Sequence, residues 1–365
     1  MKVSIITVCF NAEATIEQTI KSVMEQSYQD IEYVIIDGKS SDHTLDIVGK
    51  YAHRISKVVS EPDKGIYDAM NKGIKYTTGD IVGILNADDW YEKDTVKKVV
   101  EAFERENSQI VHGDVRFIYD NGSSEDTVTD SINKLWFEMV VRHPATFVRR
   151  EVYQKEGLFD DTFKVAGDYE FVLRCYAHNV KFYYLNTILT NFRMTGISNQ
   201  LGEVCFKETI TAALRYIENS PNKGENYSVL YNRMNGHQFL AMMRENKDSV
   251  RVGQNFFRLF PNKKAYIWGC GEWGKRLSAF LLRNGINIIA FLDSDENKVG
   301  RQVNGIRIEG LTALDKSEYP VLAAIARLDE KTTIIIESMR QNNVNVILLE
   351  ELKEAVLRDN QCYLE

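Results

Sequence analysis

Three short stretches near the start of the 365-residue chain concentrate side chains able to hold a cation or an anionic ligand. The first carries Thr7, Cys9, Asn11 and Glu13, the second is Asp37-Gly38-Lys39-Ser40-Ser41-Asp42, and the third is Asn86-Ala87-Asp88-Asp89. Each follows an apolar run, and ligands of open α/β sheets bind beyond the carboxyl ends of the strands. Asp42 or Ser41 also suits the cap of the next helix, and Asp88 or Asp89 suits a helix starting near Asp94. Two adjacent carboxylates exceed what a cap needs. Clustered carboxylates repel one another unless a cation lies between them. Carboxylates plus a diphosphate are the usual setting for Mg²⁺ or Mn²⁺.

These residues meet only if regular elements bring them together. Val3 to Cys9 reads as a buried strand, after which Ile16, Ile20, Val23 and Met24 recur at helical spacing. The pattern then predicts a strand over Ile31 to Asp37, a short helix over Thr44 to Tyr51, and a strand at Val58 and Val59. A helix over Tyr67 to Tyr76 and a strand over Ile81 to Leu85 follow. Such alternation implies right-handed crossovers and a mostly parallel sheet. It becomes irregular from about residue 105, and residues 200 to 260 read as mainly helical. A second strand–helix–strand unit opens at Lys263. The expected organisation is an α/β domain at 1–200, a helical connector at 201–262 and a small α/β domain at 263–365.

SIITVCFNAEATIEQTIKSVMEQSYQDIEYVIIDGKSSDHT, SEPDKGIYDAMNKGIKYTTGDIVGILNADDWY and HPATFVRREVYQKEGLFDDTFKVAGDYEFVLRC resemble inverting family 2 glycosyltransferases of the GT-A fold. The likeness is to the branch serving bacterial polysaccharide and lipopolysaccharide assembly, and it covers about residues 1–200. It implies that Thr7, Asn11 and Glu13 line a nucleotide base and ribose, and that Asp37 holds a uracil ring. It also implies that Lys64 and Lys72 flank a segment beside the nucleotide. NADD stands where the family has its D-x-D metal motif; with Asn86 first, Asp88 becomes the main candidate ligand and Asp89 stands beside it. Gly167-Asp168-Tyr169-Glu170 keeps the family's catalytic Asp but has Gly167 where many members carry Glu. Inversion is a single displacement, in which an acceptor hydroxyl attacks the anomeric carbon opposite the leaving diphosphate. A base within hydrogen-bond reach must take the proton. Asp168 fits that role, or else caps the helix of FVLRCYAH. His143-Pro144 and Arg193 match positions near the donor phosphates or acceptor, while TGIS at Thr195 to Ser198 replaces a more usual Gly-Gly pair. Trp90 reads either as a wall beside the donor sugar or as a core residue.

Gly269-Cys270-Gly271-Glu272-Trp273-Gly274 forms a G-x-G-x-x-G turn between a predicted strand and helix, with Asp293 ending the next strand. Glycines permit the tight turn, and the helix N-terminus attracts phosphate. Glu272 and Trp273 are bulkier than a close-packed pyrophosphate turn prefers. The unit resembles small Rossmann-like domains appended to sugar-transfer and sugar-modifying proteins, some of which bind nucleotide sugars. It suits either ligand binding through Gly269, Gly271, Gly274 and Asp293, or a structural or assembly role.

Composition narrows the classes. Apolar residues at 44% and charged residues at 27% suit a soluble globular protein with a real core. A net charge of −7 argues against sequence-independent nucleic-acid binding. MKVSIITVCFNAE lacks signal-peptide features, and no stretch approaches the roughly 18 apolar residues of a spanning helix. Cys9, Cys175, Cys205, Cys270 and Cys362 are scattered, which suits reduced thiols in a cytoplasm. The expectation is a cytoplasmic transferase using Mg²⁺ or Mn²⁺ and a UDP-sugar donor. Its acceptor would be a saccharide or lipid-linked hydroxyl at the inner membrane face, in building a cell-surface polysaccharide. Phe206, Leu214, Tyr216, Phe256, Phe257 and Phe260 suit a peripheral membrane patch, a homodimer contact or ordinary core. A rival reading is a degraded transferase that senses nucleotide sugars, favoured by Asn86 and Gly167 and opposed by Asp88, Asp89 and Asp168. An NAD-linked oxidoreductase in 263–365 lacks a second catalytic constellation.

Overall fold

The computed structural model describes residues 1–194, 202–244, 252–314, 318–324 and 330–360, in two compact units, Met1–Leu230 and Tyr231–Glu365. The TGIS loop lies outside the described residues.

The first unit begins with β1 (Val3–Cys9), α1 (Ile16–Met24), β2 (Ile31–Asp37) and α2 (Thr44–Lys50). It continues with β3 (Lys57–Ser60), α3 (Ile66–Tyr76) and β4 (Ile81–Asn86), the alternation that apolar periodicity predicts. Then come β5 (Trp90–Tyr91), α4 (Thr95–Arg105), β6 (Ile110–Ile118), β7 (Ser124–Asp126) and β8 (Thr146–Arg149). The last elements are α5 (Arg150–Glu156), α6 (Gly167–Ala177), β9 (Phe182–Arg193) and α7 (Gly202–Tyr216). The sheet order is β3-β2-β1-β4-β8-β6-β9-β5, with β7 on β6. The β3-β2-β1-β4 half is parallel, whereas β4–β8, β8–β6 and β9–β5 are antiparallel. Antiparallel neighbours need no crossover helix, which is why the strand–helix rhythm fades after residue 105.

Alternate residues of the parallel strands enter two different cores. Ile6, Val8, Val34, Ile36, Val82 and Ile84 pack with Met70 and Ile74 of α3. Val3, Ile5, Ile35, Ile81 and Leu85 pack with Ile16 and Ile20 of α1 and with Val96, Val99 and Phe103 of α4. Burial of both faces demands near-continuous apolar strands. Register places Cys9 opposite Asp37, Asp37 opposite Ser60 and Val8 opposite Asn86, so these strands end level along one edge. Helix α7 buries Ile210, Ala212 and Ala213 in the core shared with α6.

Helix α8 (Lys223–Arg244) begins in the first unit and ends in the second, which continues with α9 (Gln254–Leu259), β10 (Lys264–Trp268), α10 (Glu272–Arg283), β11 (Asn287–Asp293), β12 (Gln302–Val303) and β13 (Ile306–Gly310). Next are β14 (Val321–Ala323), α11 (Glu330–Gln341), β15 (Val346–Leu348) and α12 (Leu349–Asn360). Its sheet runs β12-β13-β11-β10-β14-β15, parallel except for the β12–β13 pair. Phe256 and Phe260 are fully buried with Leu277, Phe280 and Phe291, so these two aromatics belong to a core and to no surface patch. Gly269 adopts φ +98°, and a Cβ on Gly274 would overlap the Gly269 carbonyl oxygen. Both glycines are therefore required by the turn itself. Among the described residues, no helix is long and apolar enough to cross a membrane.

Gly274→Ala forces α10 away from β10. We expect a loss of about 1–3 kcal/mol, the usual cost of overpacking, measured by chemical denaturation of the full chain.

Candidate active site

The loops leaving β1 and β2 are zipped together before they reach any ligand. The Asn11 amide donates to Ser40 Oγ at 2.8 Å, and the Ser41 amide donates to Asn11 Oδ1 at 2.9 Å. The Glu13 amide donates to Asp42 Oδ2 at 3.0 Å, and the His43 amide donates to Glu13 Oε2 at 2.9 Å. Asp42 also accepts the Thr44 amide at 3.0 Å where α2 begins, although His43 is the cap residue and no side chain caps it. Glu13 is therefore a loop fastener and does not line the cleft.

Thr7 and Asp37, expected beside the nucleotide, do not line the cleft either. Thr7 is fully buried and shares a hydrogen bond of 2.9 Å with the Tyr33 hydroxyl, because strand alternation turns it into the core. Asp37 is fully buried as well. Its carboxylate accepts the Ser40 amide at 3.1 and 3.2 Å, Ser40 Oγ, and Ser60 Oγ at 2.6 Å. It ties β2 to β3 and has no oxygen turned to a ligand.

A cleft of about 410 Å³ opens at this edge, lined by Cys9, Phe10, Asn11, Asp63, Asn86 and Asp88 among others. Burial pushes the Asp88 carboxyl above its ordinary range, offset only in part by Arg193. Asp89 is fully buried, and burial together with the Asp88 charge holds its carboxyl well above the usual range. Its Oδ1 accepts the Arg193 amide at 3.1 Å, while its Oδ2 and Asn86 Oδ1 are buried without a hydrogen-bond partner. Asp88 in the cleft beside an orphaned amide oxygen fits one divalent cation; Asp89 does not line the cleft and anchors β9 instead. Among the described residues, no three His, Cys, Asp or Glu side chains cluster as a metal cage. A cation here would share its coordination with oxygens of the ligand.

The two lysines expected near phosphate are placed differently. Lys64 is exposed and outside the lining. Lys72 donates to the Pro62 carbonyl at 2.8 Å and pairs with Glu61 and Asp68, both at 3.2 Å, so its charge staples the 61–68 loop. Arg193 is likewise committed, lying 4.8 Å from the Trp90 ring centroid and donating to Gln18.

A second cavity of about 470 Å³ shares Gly65, Ile66, Asn86 and Phe192 with the first. Here Tyr67 donates a hydrogen bond of 3.0 Å to Asp168 Oδ1. Burial, then the Asp168 charge, raises the Tyr67 phenol well above its ordinary value, so it stays a donor. A Cβ on Gly167 would sit 2.8 Å from the Tyr67 ring, so the absent side chain makes room for that ring. Asp168 does not cap α6: Ala166 is the cap residue, and no side chain caps it. Glu208 of α7 takes the amides of Lys164, Val165 and Ala166 at 2.8, 2.8 and 2.9 Å, which fixes the loop before Asp168. His143 lines the same cavity, its imidazole held below its ordinary pKa by burial and raised back in part by Asp168. Arg142 and Lys164 bring positive charge to it.

Of the residues expected from sequence, Asn11, Asn86, Asp88, His143 and Asp168 meet in these joined cavities. Phe10, Asp63 and Tyr67 were not foreseen, although Gly167 was visible as a missing side chain at an expected acid.

The sequence model described as Glycosyl transferase family 2 matches residues 4–167, and one described as C2185-like, N-terminal, matches residues 261–334. A PGL/p-HBAD biosynthesis glycosyltransferase of Mycobacterium tuberculosis is 30% identical over 222 residues, which cover 58% of this chain and 85% of the relative. The putative teichuronic acid biosynthesis glycosyltransferase TuaG of Bacillus subtilis is 38% identical over 102 residues, covering 27% of this chain and 40% of TuaG. A crystal structure of S. aureus TarS 1-349 in complex with UDP-GlcNAc superimposes with a TM-score of 0.53 at 20% identity, over 65% of this chain and 72% of that one. The fold of the first unit is GT-A.

Asp88→Asn removes a carboxylate that folding makes harder to ionise. Its folded pKa is raised, so the penalty is absent below the unfolded value near 3.9 and fully present above the folded value. At pH 7 we therefore expect the variant to melt at a higher temperature than the wild type. The difference should vanish as acid protonates the wild-type group, as scanning calorimetry against pH would report.

Proposed function

The chain belongs to glycosyl transferase family 2, and from that premise we propose that it transfers a sugar from a UDP-sugar to an acceptor hydroxyl with inversion. The observation that carries this reading is the junction of two cavities at Asn86 and Phe192, with Asp88 in one and Asp168 in the other. The first suits a nucleotide diphosphate and the second an acceptor.

In this reading Tyr67 holds Asp168 by Oδ1 and leaves Oδ2 to receive the acceptor proton. As the acceptor oxygen bonds to the anomeric carbon, the bond from that carbon to the diphosphate oxygen breaks. A Mg²⁺ or Mn²⁺ ion held by Asp88 and the diphosphate would neutralise the leaving charge when bound. The Asn86 carbonyl accepts the Asp89 amide at 3.1 Å and closes the turn that carries Asp88, and Glu208 keeps the Asp168 loop in place. Arg142 and Lys164, with Phe117, Met139 and Val165, suit a saccharide acceptor that carries an anionic or apolar portion. The mycobacterial relative and TuaG support a role in cell-surface glycan assembly, and in our reading the acceptor is a saccharide or lipid-linked hydroxyl met at the inner membrane face. We assign the second unit to assembly or to nucleotide binding on a Rossmann-like sheet, from its β13-β11-β10-β14-β15 order and its glycine turn. Asp293 there accepts from Cys270 Sγ at 2.9 Å and pairs with Lys298 at 3.3 Å, so it meets a ligand only by exchanging those partners.

Calorimetric titration should find UDP binding that needs Mn²⁺ or Mg²⁺ and disappears in Asp88→Ala. UDP binding that ignores both metal and Asp88 would refute the metal-bridged site. In donor turnover assays, Asp168→Asn should lower kcat at least roughly 100-fold, the range of a lost general base. Tyr67→Phe should lower it by about tenfold, the weight of one hydrogen bond to a charged group. Full activity in Asp168→Asn would remove Asp168 from the mechanism.

A further inference from the structure

The end of the first cleft away from Asp88 has its own chemistry. Asp63 reaches it from the loop before α3, and its Oδ2 occupies the volume that a side chain at residue 38 would fill. Only glycine at 38 admits that carboxylate. Asp63 Oδ1 accepts the Gly65 amide at 3.0 Å, which fixes the rotamer and leaves Oδ2 toward the cleft. Beside it stands Phe10, with a Cδ2 at 3.4 Å from the same point and 63% of its surface exposed. An aromatic face and an acceptor-only carboxylate thus share one end of the cleft. Among the described residues no lysine or arginine lines the cleft, and the Asp63 carboxylate makes this end repel phosphate and favour a neutral, planar group with N–H donors. Asp63 lies over the end of β2 and Asp88 follows β4, with β1 between them. Two strand spacings, about 10 Å, leave room for a ribose between base and diphosphate.

We propose that Asp63 reads the nucleobase of the donor, selecting a base with a ring N–H, such as uracil or guanine, over cytosine, while Phe10 supplies the stacking face. This assignment rests on the cleft being the nucleotide-diphosphate site. Asp37, tied up by Ser40 and Ser60, is excluded from that task by its own hydrogen bonds. A carboxylate accepts from uracil N3–H, or from guanine N1–H and its amino group, but meets a lone pair at cytosine N3. Sites built on such hydrogen bonds reject analogues that cannot complete them.

The test is calorimetric titration of UDP, GDP and CDP, with MnCl₂, into the full chain and into Asp63→Asn. That variant keeps the oxygen that holds Gly65 and turns the other acceptor into a donor. The wild type should bind UDP or GDP at least about tenfold more tightly than CDP. Asp63→Asn should lose about tenfold or more on the preferred nucleotide and bring CDP within about threefold of it. A Gly38→Asp/Asp63→Gly double variant, which returns a carboxylate from β2, should recover part of the preference. If Asp63→Asn keeps the wild-type affinities and their order, Asp63 is not the base reader, although the nucleotide site stands. If the wild type binds none of the three, the nucleotide reading of the cleft falls with it.

Discussion

Asp37 is the tie on which this edge of the sheet depends. Its carboxylate is taken out of water at the point where β2 ends, between the ends of β1 and β3. A buried carboxylate without partners would cost several kcal/mol, so the fold surrounds it with the Ser40 amide and the hydroxyls of Ser40 and Ser60. Ser60 belongs to β3 and Ser40 to the loop after β2, and Ser40 in turn accepts the Asn11 amide after β1. One carboxylate thus fastens the loops after β1 and β2 to the end of β3. The cleft is the space those fastened loops leave beside β4.

The NADD turn shows the opposite treatment of acidic groups. Asp88 and Asp89 follow one another, Asp89 is fully buried, and two of the turn's oxygens, Asn86 Oδ1 and Asp89 Oδ2, have no donor. Left alone, this turn is destabilising, since like charges are drawn together where little water screens them. Violations of polar satisfaction concentrate where proteins bind and react, and this one lies at the junction of the two cavities. A cation shared with a ligand would offset it, whereas Arg193, spent on Gln18 and Trp90, does so only in part.

The parallel half of the sheet was legible because strands buried on both faces must be apolar throughout, and their helices must repeat at 3.6 residues. Asn86, Asp88 and Asp168 were legible as chemical groups in a recognisable order. Their neighbours were not, because direction at a strand end is set by loops that pack only in three dimensions. Thr7 and Asp37 sit in the right strands and turn away from the cleft. Lys72 might have been assigned from sequence alone: Asp68 lies four residues before it on a helix, a spacing that pairs opposite charges. The mixed half of the sheet gave no periodic signal, since β8 pairs antiparallel with β4 across a long separation, and β9 returns parallel to β6 only after two helices and a long irregular stretch.

Asn86 and Gly167 suggested, as departures from a family pattern, that catalysis had been lost. Gly167 carries the opposite implication once its neighbours are known. The Tyr67 ring occupies the space at Gly167, and its hydroxyl delivers a hydrogen bond to Asp168 that a larger residue at 167 would block. Four residues earlier in the same segment, Asp63 occupies the space at Gly38. Tyr67 stands in the first turn of α3 and Asp63 in the loop before it, a segment stapled by Lys72 to Glu61 and Asp68. At both glycines the space is filled by a side chain of one segment, so both cavities are shaped by the same few residues. Any shift of that segment would then be felt at Asp63 in one cavity and at Asp168 in the other together.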